Sequence, residues 1–311
     1  PSARYTALLD VDCNVRLFDQ TGKQSADGVS LKGRQPAVKA SRSADLVVAA
    51  SSDSLLALDM RGYRQRRLSL KNEWATHFDI SPKGIFFAVA DFFRGVSLFD
   101  ETLDRSQYLE TSSDVLDIAV DGNHHTLISL ADSTLAFYND RGALISQTDV
   151  LKPSVSVVTG LGQGFLTASA GHVRAYTSDG GVVWSLDVPG EVNSLQPTRA
   201  GVVATTAEGN AFVTNTRGAV VYKMMQRAPT RYFTIHGDSK EILSIESRVR
   251  LLTARSTESG VLWRKEMDDD ILTIEVSPDG LSVAVLAGIY LTVMSTALGP
   301  ATAAKQLFLE I

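Results

Sequence analysis

A nine-residue stretch, an apolar strand running into a polar turn, recurs eight times in this 311-residue chain. The copies are NVRLFDQTG from Asn14, SLLALDMRG from Ser54, GVSLFDETL from Gly95 and TLAFYNDRG from Thr134. They continue with HVRAYTSDG from His172, NAFVTNTRG from Asn210, RVRLLTARS from Arg248 and IYLTVMSTA from Ile289. Successive starts lie 40, 41, 39, 38, 38, 38 and 41 residues apart. A period this even requires one supersecondary unit used again and again, each burying an apolar face on the next.

Around each copy runs a longer pattern. A first strand ends in a turn, as in WATHFDISPKG, VLDIAVDGN and LTIEVSPDG. A strand of small and apolar residues follows, as in IFFAVAD, TLISLAD and LSVAVLAG. The repeated strand is third. A polar turn then leads to a fourth, such as ALISQTDV, VVWSLDV or VLWRKEM. Convincing 3.6-residue apolar stripes are few, so the chain reads as all-β. Four strands in about 39 residues describe a β-propeller blade. The SPKG and SPDG turns supply Pro for a fixed φ and Gly for a positive one. Their first residues, Ser81 and Ser277, lie 196 residues apart, or five periods.

The segments FDISPKGIFFAVAD…GVSLFD and IEVSPDGLSVAVLAG resemble tryptophan–aspartate (WD) repeats, with Phe99-Asp100 where the family has Trp-Asp. SDGGVVW and ESGVLW, ending at Trp184 and Trp263, look like blades of quinoprotein-like propellers. Both resemblances imply architecture; neither fixes an activity. The expectation is a single β-propeller domain over residues 1–311, with four-stranded antiparallel blades. Eight blades are expected, with seven as the alternative. The closing segment AKQLFLEI either ends blade eight or completes blade one. A chain that opens on Pro1 reads as processed or excised from a longer one.

A net charge of -5 gives no global attraction to nucleic acid, and none is expected as a partner. The one cysteine, Cys13, rules out an intrachain disulfide. That suits the cytoplasm, with a periplasmic or extracytoplasmic domain as the alternative. No apolar run reaches the length of a membrane-spanning helix.

Catalysis needs convergent groups, and few motifs offer them. The histidines His77, His124, His125, His172 and His236 fall in no HExxH motif. His124 and His125 share the turn DGNHHT, which reads as solvated. GLGQG at 160–164 joins two strands and reads as a hairpin turn, where a phosphate loop would open a helix. No GxSxG elbow occurs. Trp184 and Trp263 fall on fourth strands and read as blade packing. No cofactor and no metal are expected.

At a period near 39, the residues just before successive first strands are Arg34, Glu73, Asp114, Ser154, Glu191, Arg231 and Asp270. Four are acidic, and Asp268 adds to the charge. These loops are expected to take a basic segment or a cation, with Trp74 and Tyr232 giving apolar contact. The bland alternative is a set of solvated carboxylates that cap turns. At the opposite end of the blades, RGYRQRR carries Arg61, Arg64, Arg66 and Arg67. These arginines either grip an anionic partner or guard an outer strand edge.

Three functions compete. The leading one is a non-catalytic scaffold that binds a protein or peptide partner through loops on one face. The second is an enzyme or small-ligand sensor with an axial site drawn from His77, Asp79, Asp117, Asn193, His236 and Glu275. The third is a periplasmic assembly scaffold resembling quinoprotein-like outer-membrane assembly lipoproteins. No oligomeric state is expected from the sequence.

Overall fold

The computed structural model describes residues 5–9, 13–19, 24–31, 33, 37–41, 46–59, 65–70, 75–82, 84–92, 95–100, 102–150, 155–160, 163–197, 201–225, 232–237, 242–256, 260–276, 282–288, 290–295 and 305–308. They form two compact units. One comprises Ala7–Leu17 and Gln24–Leu195; the other comprises Pro1–Thr6, Phe18–Lys23 and Gln196–Ile311. Every described element is a strand, so no described helix is long and apolar enough to cross a membrane.

The first unit holds most of five antiparallel sheets. The first is β1 (Tyr5–Leu9), β2 (Asn14–Asp19) and β3 (Gln24–Ser30). The second is β4 (Ala37–Ala40), β5 (Leu46–Ala50), β6 (Ser54–Asp59) and β7 (Gln65–Ser69). The third is β8 (Ala75–Ile80), β9 (Phe86–Asp91), β10 (Gly95–Asp100) and β11 (Arg105–Glu110). The fourth is β12 (Val115–Val120), β13 (Thr126–Leu130), β14 (Thr134–Tyr138) and β15 (Leu144–Asp149). The fifth is β16 (Val155–Gly160), β17 (Phe165–Ser169), β18 (His172–Tyr176) and β19 (Val182–Asp187).

The second unit holds most of three more. They are β20 (Val192–Pro197), β21 (Gly201–Thr206), β22 (Ala211–Asn215) and β23 (Val220–Met224); then β24 (Tyr232–Gly237), β25 (Ile242–Arg248), β26 (Leu251–Ser256) and β27 (Gly260–Glu266); then β28 (Ile271–Val276), β29 (Ser282–Ala287), β30 (Tyr290–Ser295) and β31 (Lys305–Phe308).

The expectation of eight like blades, or seven, is corrected. Among the described residues, six sheets carry a full register across four strands. The β20–β23 sheet has four strands, with its register described over β21–β23. The first sheet has three strands. At the C-terminal end β31 pairs with β30, so AKQLFLEI ends its own sheet, and among the described residues the first sheet has no fourth strand.

The period-two geometry of a strand explains why the second and third strands are buried on both faces and carry apolar residues in succession. In β9, Phe86, Ala88 and Ala90 pack with Ile118, Val120, Ile128 and Tyr138 of the fourth sheet. The intervening Phe87 and Val89 pack with Val48, Leu55 and Ala57 of the second. Both faces of the sheet are covered, so no polar alternation is tolerated. β6 behaves alike: Leu56 and Leu58 join Val15 and Leu17 in one core, while Leu55 and Ala57 join the other. In the second unit, Leu252, Ala254 and Met267 pack against Ile271, Ile274, Val283 and Val285.

Fourth strands differ. β15 and β19 share one burial pattern, with exposed residues dominating. Trp184 pairs with Ala175 and Trp263 with Ala254, the same register in two sheets. Trp263 is partly buried against the core around Leu252 and Met267. A β-bulge recurs near the start of β11, β15, β19, β23 and β27, leaving Ser106, Ile145, Val183, Val221 and Leu262 out of the ladder.

Candidate functional site

First strands place the residues read as an axial set. Asp79, on β8, accepts a hydrogen bond from Lys39 Nζ on β4 at 2.8 Å. Its other oxygen accepts from the backbone N–H of Val120 on β12, also at 2.8 Å. One carboxylate therefore ties three sheets together. Lys39 also lies over the Phe78 ring, 5.6 Å from its centroid. His77 Nδ1 is 3.2 Å from Thr76 Oγ1. Burial, and then the nearby Lys39 ammonium, hold the imidazole below its ordinary pKa, so it favours the neutral form. Asp117 Oδ1 accepts from the adjacent Ile118 N–H at 2.9 Å. Asn193 is exposed on β20. His236 and Glu275 lie on β24 and β28, with side chains outside the described residues. Lys39 and Asp79, facing each other across first strands, thus form a structural ion pair. Among the described residues, no group of three His, Cys, Asp or Glu side chains could hold a metal ion.

The loops before first strands lie at the same end of the sheets as the turns between second and third strands. Backbone hydrogen bonds join them: Leu70 N–H to Asp53 O, Ala131 N–H to Asp114 O, Val150 N–H to Ser133 O and Val188 N–H to Gly171 O. Asp114 and Glu191 are exposed on this end of the first unit. Phe92 joins them in the β9–β10 turn, with 64% of its surface exposed. Sequence reasoning missed Phe92; its signal was an aromatic pair in a turn that otherwise calls for small polar residues. In the second unit, Asp268 is exposed and Asp270 forms a 3.0 Å ion pair with Arg250. The hydrogen bond from Arg250 to Asp270 raises the pKa of the guanidinium, so Asp270 is a partnered carboxylate. Glu73, Trp74, Arg231, Arg34 and Ser154 lie outside the described residues, and Tyr232 is described only as the start of β24.

At the other end, Arg66 and Arg67 project from β7. Arg66 Nη1 donates to Thr102 O in the third sheet at 3.1 Å, and Arg67 Nη2 donates to Ser30 O at the end of β3. One outer strand thus clamps the sheets on both sides. Beneath Arg66, burial pushes the Asp100 carboxyl up. Hydrogen bonds from Thr102 Oγ1, Thr102 N and Asp104 N, with Arg66 nearby, outweigh that and hold it below its usual range. Both arginines therefore have structural partners. Arg61 and Arg64 lie outside the described residues.

Asp121 was not singled out by the sequence. It opens the β12–β13 turn and has no exposed surface. Oδ1 accepts from Asn123 N at 2.8 Å and His125 N at 2.9 Å; Oδ2 accepts from Gly164 N at 3.1 Å and Ser178 Oγ at 2.5 Å. Gly164 and Ser178 belong to the fifth sheet, so the carboxylate fastens two sheets. Gly164 has φ +84, and a Cβ there would lie 2.1 Å from Tyr176 O. His125 is partly buried, with Nδ1 3.5 Å from Asp121 Oδ1. His124 is partly buried and stacks on Phe86 with centroids 5.4 Å apart, which corrects the solvated-turn reading. An Asp-Gly turn start was legible; its reach across to the next sheet was not.

No protein-family model matches the sequence, and no curated protein matches it. Solved structures do. The C-terminal WD40 domain of Sif2 superposes with a TM-score of 0.73 at 11% identity, over 94% of this chain and 92% of that one. The β-propeller domain of Myceliophteria thermophila Cps50 (Swd1) gives 0.57 at 13% identity, over 83% of this chain and 94% of that one. Likeness at this identity carries the fold. The chain is therefore an all-β, WD-repeat-like β-propeller built from four-stranded antiparallel blades.

Proposed function

We propose that the chain is a non-catalytic scaffold. It binds a protein or peptide partner through the end of its sheets where first-strand loops meet the second-to-third-strand turns. The observation that carries this is the exposure of Asp114, Glu191 and Phe92 together on loops at one end of the first unit's sheets. Exposed charge and an exposed aromatic on a fixed scaffold suit recognition better than catalysis. The acidic loops favour a partner with a basic segment.

The test compares the tagged wild-type chain with Asp114→Lys/Glu191→Lys/Phe92→Ser in quantitative affinity capture. At least a tenfold loss of captured partners is expected. A capture profile unchanged by these substitutions overturns the choice of face.

A further inference from the structure

We propose a second docking surface, independent of the loop face: the outer edge of β15. There an extended segment of a partner protein is added as a fifth antiparallel or parallel strand. That segment carries an aliphatic residue at one end and a lysine or arginine about four residues away.

Three observations lead here. First, β15 ends its sheet and, among the described residues, no strand pairs with its outer edge, so alternate N–H and C=O groups point outward. Second, the strand exposes a stripe of one chemistry at each end. Leu144 and Ile145 are 50% and 40% exposed, and the bulge that takes Ile145 out of the ladder brings two successive aliphatic side chains to the surface. Beyond it the register is regular, Ser146↔Phe137 to Asp149↔Thr134. Ser146 and Thr148 are half-buried, and Ser146 Oγ donates to Asp179 O of the next sheet at 2.6 Å. Ile145, Gln147 and Asp149 alternate with them on the exposed face. At about 3.3 Å per residue, the aliphatic group and the carboxylate lie ~13 Å apart.

Third, β15 differs from the other described outer strands in what surrounds this combination. β7 opens on Gln65 in place of an aliphatic pair, and its Arg66 and Arg67 are both spent on neighbouring sheets. β11 opens on Arg105 and Ser106. β19 repeats the aliphatic pair as Val182-Val183, but its Asp187 is held by His172 Nδ1 at 2.5 Å. β23 ends without an acid. β27 repeats the exposed pair as Val261-Leu262 and ends on the exposed Glu266, but Arg264 and Lys265 stand between them and bring the opposite charge. An added strand would gain main-chain hydrogen bonds for affinity, and the apolar-to-acidic stripe would set sequence and direction.

A phage-displayed random decapeptide library panned against the full chain tests this, with winning peptides measured by fluorescence anisotropy. Winners are expected to share an aliphatic residue and a Lys or Arg three to five positions away. Ile145→Asp should weaken them at least tenfold. Asp149→Lys should do the same, with binding restored when the peptide's basic residue becomes Glu. N-methylation of the peptide backbone should abolish binding at one alternation of positions and spare the other. A library without winners, winners that bind both variants as wild type, or N-methylation without effect would overturn the proposal. All substituted residues are exposed, and unchanged thermal melts confirm folded variants. Loss of the loop-face interaction leaves these outcomes untouched.

Discussion

Replacing Asp121 by Asn keeps the shape of the side chain and removes its charge. The carboxylate accepts four hydrogen bonds with no exposure to water, two at each oxygen. An amide has one acceptor oxygen. Whichever way it turns, its NH2 group faces two donors. Ser178 can rotate its hydroxyl and accept, whereas the Gly164 N–H cannot adapt. Hydrogen bonds to a charged group contribute about 1.5–3 kcal/mol each. Losing one or two net gives an expected destabilisation of about 2–4 kcal/mol, well above a surface substitution. Urea unfolding followed by circular dichroism measures it. The Gly164 amide should also exchange with solvent faster than amides of β8–β11, because the loss is local to one junction. Ser178→Ala in the same chain should show coupling to Asp121→Asn of about 1 kcal/mol. A loss below about 1 kcal/mol, or strict additivity, would refute the assignment of Asp121 as the fastener of these two sheets.

Two further predictions concern single sites. Folded His77 resists protonation, because burial and then Lys39 lower its pKa below 6.5. The unfolded chain takes up that proton and the folded chain does not, so stability falls as pH drops below 6.5, until the folded-state pKa is reached; urea midpoints between pH 8 and 5 should show this decline, and His77→Gln should lessen it. At Gly95 a Cβ would lie 2.0 Å from the Tyr108 hydroxyl, which is fixed 2.9 Å from Asp91 Oδ2. Gly95→Ala is expected to cost about 1–3 kcal/mol, and much less in a Tyr108→Ser background, by thermal denaturation.

The repeat made five third strands legible to the residue, while β22, β26 and β30 begin one to three residues after their aligned copies. β2, β6, β10, β14 and β18 begin at Asn14, Ser54, Gly95, Thr134 and His172, where the aligned copies begin. The placement of Trp184 and Trp263 on fourth strands was equally legible, since Gly-apolar-apolar-Trp follows a turn in both. What escaped was the partner of each polar side chain. Asp79 meets Lys39 and Val120, Asp121 meets Gly164, and Arg66 meets Thr102. Each partner is about one repeat away in sequence. The period reveals that distance, but the choice of atom depends on how two sheets face each other. The bulges were hidden for a related reason: an extra residue in an outer strand leaves the apolar pattern intact and alters only the ladder.

The division of β9 between two cores limits how this chain can change length. Phe86, Ala88 and Ala90 serve one side; Phe87 and Val89 serve the other. Inserting one residue into the strand would exchange the two sets at once, sending phenylalanine rings where alanines fit and alanines where rings are needed. An inner strand such as β9 therefore cannot take an insertion, whereas turns and the bulged outer strands can absorb one. The spacing of the repeats varies between 38 and 41 residues, while β9 keeps the phase that its two cores require.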